Sequence, residues 1–222
     1  MNKELKKNLK FIGITVLILL YPSYYLFKYA YSDYLNDRAL NIVYGAHKGV
    51  NETEAKEKAI ELLEKAKSYR KKHYIFYYNQ AKLYLELQNF PKAETTLGEL
   101  IQIRPDDDKG YLYYGVALEL NHKPDSARQL YMEYRNRVDR EYRDTKPENQ
   151  NPDRYRAYRL VLDFLLNDDV AFRKDLNLLQ TEYPDFDTGE ILEKLEKESR
   201  KEFLLERLGI TDSTMMKESM SH

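Results

Sequence analysis

The sequence predicts an all-α chain: an α-solenoid of about three to four helical hairpins, with an N-terminal transmembrane helix and a C-terminal capping helix. Three observations predict it. Phe11 to Leu20 carries no charge. Between residues 74 and 135, small and large side chains recur at a spacing of 34 residues. Glycine and proline number only 8 and 7 in 222 residues, as short turns between helices require.

Charged residues make up 33% and hydrophobic residues 42%, enough apolar surface to bury a core and too much for wholesale disorder. With 36 basic and 37 acidic side chains the net charge is −1, so no global field draws in nucleic acid. No segment reads as a basic groove with interleaved aromatics. There is no cysteine, which excludes disulfides, thiolate metal sites and cysteine nucleophiles but leaves the compartment open.

Residues 1–10 carry Lys3, Lys6, Lys7 and Lys10 against one acid, Glu4. After FIGITVLILL, apolar and aromatic residues continue through Tyr21, Tyr24, Tyr25, Leu26 and Phe27 before Lys28. From Leu9 to Phe27, a helix would be roughly 28 Å long, about one hydrocarbon thickness. Two readings compete. An uncleaved anchor over residues 9–29 would leave Tyr21, Tyr24, Tyr25, Tyr29 and Tyr31 at or near the far interface, where amphipathic rings settle. A signal peptide would end its apolar region at Pro22, but Tyr21-Pro22-Ser23-Tyr24-Tyr25 supplies almost no small residues for cleavage. The anchor is preferred. Its lysines predict a cytoplasmic basic N-terminus (1–10) and a translocated C-terminal part, periplasmic if the source is a Gram-negative bacterium.

In the repeat, Tyr77 precedes Tyr111 by 34 residues, Ala81 precedes Gly115, Ala93 precedes Ala127 and Leu97 precedes Tyr131. Asn89-Phe90-Pro91 and His122-Lys123-Pro124 recur at the same spacing, each proline where a second helix begins. Numbered from Tyr74, the fourth, eighth, eleventh, twentieth and twenty-fourth places hold Tyr77, Ala81, Tyr84, Ala93 and Leu97, with Pro105 near the end. Numbered from Asp108 they hold Tyr111, Gly115, Leu118, Ala127 and Tyr131. This pattern resembles the tetratricopeptide repeat (TPR), in which small residues let the two helices of a hairpin approach and large ones fill the space between hairpins.

Outside 74–135 the match weakens. Ala59, Leu63 and Ala66 fit a helix from about Glu52 to Arg70, whose partner, Arg38 to Val50, has His47 where a small residue belongs. Val138 to Asp153 is polar, holds Pro147 and Pro152, and reads as a longer loop. Tyr155, Tyr158, Leu162 and Ala171 then fit a degenerate fourth unit closed by Pro184. The repeats are thus expected over 38–185, a solvated capping helix over 187–208 with Asp187 and Glu190 at its start, and a disordered tail over 209–222.

No catalytic motif stands out: there is no Gly-rich phosphate loop and no His-Glu-x-x-His. His47, His73, His122 and His222 are scattered through turns, helix ends and the tail. Asp106-Asp107-Asp108 and Asp168-Asp169 fall at helix junctions, where carboxylates cap backbone N–H groups, and no oxygen-rich calcium loop surrounds them. No metal, cofactor or enzymatic activity is expected.

The TPR resemblance implies a concave protein-binding groove, whose lining places are held here by Ile75, Tyr78, Lys82, Leu85 and Glu86, then Lys109, Leu112, Val116, Glu119 and Leu120. Such a mixed surface suits an extended or helical peptide. Of the five places that some TPR proteins use to hold a C-terminal carboxylate, Asn79 and Lys109 match, while Tyr44, Lys48 and Tyr113 do not. The expected function is a membrane-anchored scaffold for protein–protein interaction in a cell-envelope assembly. Its partner would be another membrane or envelope protein, and the lipid bilayer would hold residues 9–29. The alternative is an accessory or inhibitor, of the immunity type, that binds one enzyme or toxin.

Overall fold

The computed structural model describes residues 3–45, 51–182, 200 and 204, with the side chains of 3–20, 153 and 154 outside the description. Every regular element among the described residues is helical. They are α1 (Lys3–Tyr44), α2 (Glu52–Tyr69), α3 (Tyr74–Glu86), α4 (Phe90–Ile103), α5 (Asp108–Leu120), α6 (Pro124–Asp144), α7 (Pro152–Leu165) and α8 (Asp169–Glu182), with one 3₁₀ turn at Pro147–Asn149. The chain divides into two compact units, Met1–Gln80 and Ala81–His222.

In the first unit α1 packs along α2. The buried residues of α2 are Ala55, Ala59, Ile60, Leu63 and Ala66, a stripe with the three- and four-residue steps of one helix face. Leu35 and Ala39 of α1 are buried, as are its Ser32 and Asn36. Asn51 caps α2 by accepting from the Thr53 N–H at 3.0 Å, and Glu52 and Glu54 sit in its first turn, where the helix dipole favours anions. Asn79, midway along α3, donates to Asn36 Oδ1 at 2.8 Å, which pairs the two buried amides.

The stretch expected to be an anchor and the start of the first expected repeat helix, residues 38–44, lie in one continuous helix of 42 residues, with Pro22 inside it. The boundaries drawn at 29 and 38 fall within it. Among the described residues no helix is long and apolar enough to cross a membrane, and the side chains of Phe11 to Leu20 lie outside that description. Residues 187–208, apart from Arg200 and Leu204, and the tail 209–222 also lie outside the described residues.

In the second unit consecutive helices pack on one another: α4 on α5, α5 on α6, α6 on α7 and α7 on α8. The seam read from the sequence is present. Ala93, Leu97 and Leu100 are fully buried, and Ala127 and Tyr131 are 1% exposed. Gly115 shows why a small residue is needed, because a Cβ there would lie 2.0 Å from Cε1 of Tyr131.

One turn recurs three times. Gln88, His122 and Asn167 have φ of 55°, 61° and 55°, the left-handed conformation that ends a helix. Asn89, Lys123 and Asp168 each donate their backbone N–H to a carbonyl five residues back, on Tyr84, Leu118 and Asp163, at 2.8 to 2.9 Å. Gln88, His122 and Asn167 donate to Leu85, Glu119 and Phe164, which completes the Schellman pattern. A second, gentler turn also recurs: Arg70 and Arg104 close their helices with φ of −133° and −137° and donate back to Ala66 and Leu100. Pro91 and Pro124 stand in the first turns of α4 and α6.

The stretch read as a loop from Val138 to Asp153 is corrected. α6 continues to Asp144, giving it 21 residues against 14 in α4, and the loop shrinks to 145–151. The loop is tied back by Gln150, whose Nε2 donates to the carbonyls of Tyr142 at 3.1 Å and Thr145 at 3.0 Å. Tyr142 stacks on Tyr155 with ring centroids 4.0 Å apart. The repeated turn also moves the fourth unit on by one residue. Asp163 takes the place of Tyr84 and Leu118, and Phe172, rather than Ala171, the place of Ala93 and Ala127.

Candidate functional site

The ten groove residues come from α3 and α5, with Ile75 and Tyr78 in the first unit and the other eight in the second. In the first unit Ile75 is exposed and Tyr78 half-buried. In the second, Lys109 is exposed, and Glu86 and Glu119 are half-buried. Lys82, Leu85, Leu112, Val116 and Leu120 are all buried, with Leu85 at 1% and Val116 fully covered. An apolar floor is therefore present in this unit, but it belongs to the core and does not face solvent.

Arg200 occupies the charged end of that surface. Its guanidinium forms a two-point ion pair with the Glu119 carboxylate, through Nε to Oε1 and through NH2 to Oε2 at 3.1 Å. It also donates to the carbonyls of Phe164 at 3.3 Å and Leu165 at 2.7 Å, and to Asn167 Oδ1 at 2.9 Å. Those carbonyls close α7, where unpaired acceptors and the dipole favour a cation. Leu204, four residues on, is 1% exposed. The segment expected to be a solvated cap thus contributes two side chains to the second unit. One arginine in a charge-rich run carries no signal of this in the sequence, because its partners come from two distant stretches, Glu119 and 164–167.

A second polar cluster joins α6, α7 and α8. Asp163 is fully buried, 3.3 Å from Arg135 and 3.9 Å from Arg159. Arg159 also reaches Asp139 at 2.7 Å and Asp175 at 3.4 Å, and Arg135 reaches Asp168 at 3.2 Å. Burial pushes the Asp163 carboxyl up to about 7, helped by its bond to Asp175, and the two arginines only partly oppose this. Asp168 also caps α8, accepting from the Ala171 N–H at 3.1 Å. The cluster joins three helices and sets four carboxylates against two guanidiniums.

The other acidic run is likewise engaged. Asp108 accepts from Arg137 at 2.6 Å, and Asp106 lies 3.7 Å from Arg104. Among the described residues no group of three or more histidines and carboxylates is placed to hold a metal ion. Asn79, one of the two matching clamp residues, is committed to Asn36.

Among the described residues, a run of exposed apolar and aromatic side chains lies on α1. Tyr21, Tyr24, Tyr25, Leu26, Phe27 and Tyr29 are 41% to 72% exposed, on all sides of the helix. Tyr21 and Tyr25 share a hydroxyl hydrogen bond of 3.1 Å. No protein-family model matches the chain, and no curated protein is significantly similar to it.

Proposed function

We propose that this chain is a single-pass, membrane-anchored scaffold whose TPR-like solenoid mediates protein–protein contact in a cell-envelope assembly. The observation that carries the reading is α1. One unbroken helix joins the uncharged run Phe11–Leu20, through a collar of exposed tyrosines, to the helical hairpin of the first unit. An aromatic collar of that kind suits the border between hydrocarbon and water. The thrice-repeated Schellman turn and the Gly115–Tyr131 contact support the solenoid. The lysines of residues 1–10 favour a cytoplasmic N-terminus and translocated repeats, periplasmic in a Gram-negative source.

Catalysis is no part of the proposal, because the buried carboxylates meet arginines rather than an open cleft. Binding falls to the exposed members of the predicted set, Ile75 on the first unit and Lys109 on the second, while Leu85 and Val116 serve packing. Holding such a surface on a membrane raises its effective concentration toward other membrane proteins, so weak contacts suffice.

A photo-crosslinking residue at Lys109 or Ile75 in intact cells tests this. Both positions are expected to capture the same envelope protein, with capture at Ile75 lost on Lys109→Glu. The buried position Val116 should capture none. Equal capture at all three positions, or a different set of proteins from each, would sink the scaffold reading.

A further inference from the structure

We propose that the first unit carries a binding site for the phosphate headgroup of an anionic phospholipid, where α1 leaves the bilayer. The site rests on the membrane reading above and adds a ligand class to it. An open pocket of about 390 Å³ lies between α1 and the turn joining α2 to α3, lined chiefly by Tyr25, Lys28, Tyr29, Arg70, Lys71 and Lys72.

Its charge is one-sided. Arg70 is paired with Asp33 at 2.6 Å and lies over the Tyr29 ring at 4.5 Å, which fixes the turn against α1. The hydroxyl of Tyr77 donates to the Lys71 carbonyl at 2.6 Å and holds the turn's backbone from the other side. That leaves Lys28, Lys71 and Lys72, which have no carboxylate partner among the described residues. His73 adds no compensating charge: burial and the Arg70 charge both lower its pKa, with only Asp33 opposing, so it is neutral near pH 7. Three unanswered ammonium groups beside one neutralised arginine are a demand for an anion.

Position selects the source of that anion. Lys28 is the first charge after the apolar run, and with the helix rise it stands about 12 Å beyond Leu20. The tyrosines beside it are the exposed collar, so the pocket opens at headgroup depth rather than into bulk water. Basic pockets next to a membrane helix bind anionic headgroups, and each lysine near the surface is worth about a fivefold preference.

The test incorporates the full chain into nanodiscs of phosphatidylcholine with a minor share of phosphatidylglycerol. The lipids retained on the released protein are then counted by native mass spectrometry. The wild-type chain is expected to retain phosphatidylglycerol well above its share in the disc. The variant Lys28→Gln/Lys71→Gln/Lys72→Gln, which removes no hydrogen bond or ion pair seen among the described residues, should fall to the bulk composition. Wild-type retention at bulk composition, or enrichment that survives in the variant, overturns the site. Loss of the lipid in millimolar inorganic phosphate overturns the lipid source in favour of free phosphate. A chain that never enters the discs defeats the membrane reading itself, whereas one that enters without lipid preference defeats only the site.

Discussion

Gly115→Ala should destabilise the second unit, although alanine is the better helix former. The added methyl would lie 2.0 Å from Cε1 of Tyr131 and 2.7 Å from Cδ1 and Cζ. Carbon atoms rest about 3.5–4.0 Å apart, so the ring must move. Tyr131 is 1% exposed, and its hydroxyl donates to Glu119 at 3.5 Å, so it has no free volume to enter. Overpacking of this kind costs about 1–3 kcal/mol. Alanine in a helix interior returns about 1 kcal/mol. The expected net loss is up to roughly 2 kcal/mol, a fall in melting temperature of up to about 8 °C for a chain of this size. Gly98→Ala is the paired control, because its Cβ would meet only the Tyr114 hydroxyl at an ordinary 3.5 Å. There the helix term acts alone, and the melting temperature should rise by about 2–4 °C. Thermal unfolding of the detergent-solubilised chain, followed by circular dichroism, reads both. A Gly115→Ala variant as stable as Gly98→Ala would refute the packing argument.

Further outcomes follow from the turns, the buried acid and Arg200. Gln88→Gly and His122→Gly should each stabilise by about 1 kcal/mol in urea unfolding, since glycine adopts positive φ freely, and Asn167→Gly by less, since asparagine tolerates it. Asp163 has a folded pKa of about 7 against an ordinary 3.8, so the folded chain holds the extra proton between those values. Its contribution to stability therefore falls as pH rises through that window, and the loss is complete above it. Asp163→Asn cannot ionise, and its urea midpoint should fall less than that of the wild type between about pH 5 and pH 8. Parallel profiles would contradict the assignment. Arg200→Ala should cost about 1–3 kcal/mol by removing the cation paired with Glu119 and the donor to the Leu165 carbonyl, and Arg200→Lys, lacking the fork, should recover only part.

The parts of the fold legible in the sequence were those fixed by local chemistry and short-range packing. Ala93, Ala127, Gly115, Pro91 and Pro124 announced the hairpins because each residue type suits one place and few others. The extension of α6 was missed: Val138 and Tyr142 continue the stripe of Ala127, Tyr131 and Tyr134, but the polar residues around them and Pro147 beyond read as a loop. Its helix depends on Tyr142 stacking on Tyr155 and on Gln150 capping from across the loop. The shifted register of the fourth unit was hidden for the same reason. Its turn residue is Asn167, and the buried place beside it holds an aspartate balanced by arginines instead of a large apolar side chain. Of the groove residues, the apolar ones of the second unit are covered rather than open. Leu112, Val116 and Leu120 are apolar because they are covered, and Arg200 was one cation among many.

The absence of cysteine makes single-cysteine labelling the most direct test of the anchored, translocated arrangement. In spheroplasts expressing the full chain, a membrane-impermeant maleimide should label Lys109→Cys at once and Asn2→Cys only after permeabilisation. Equal labelling of both before permeabilisation, or the reverse order, would contradict it.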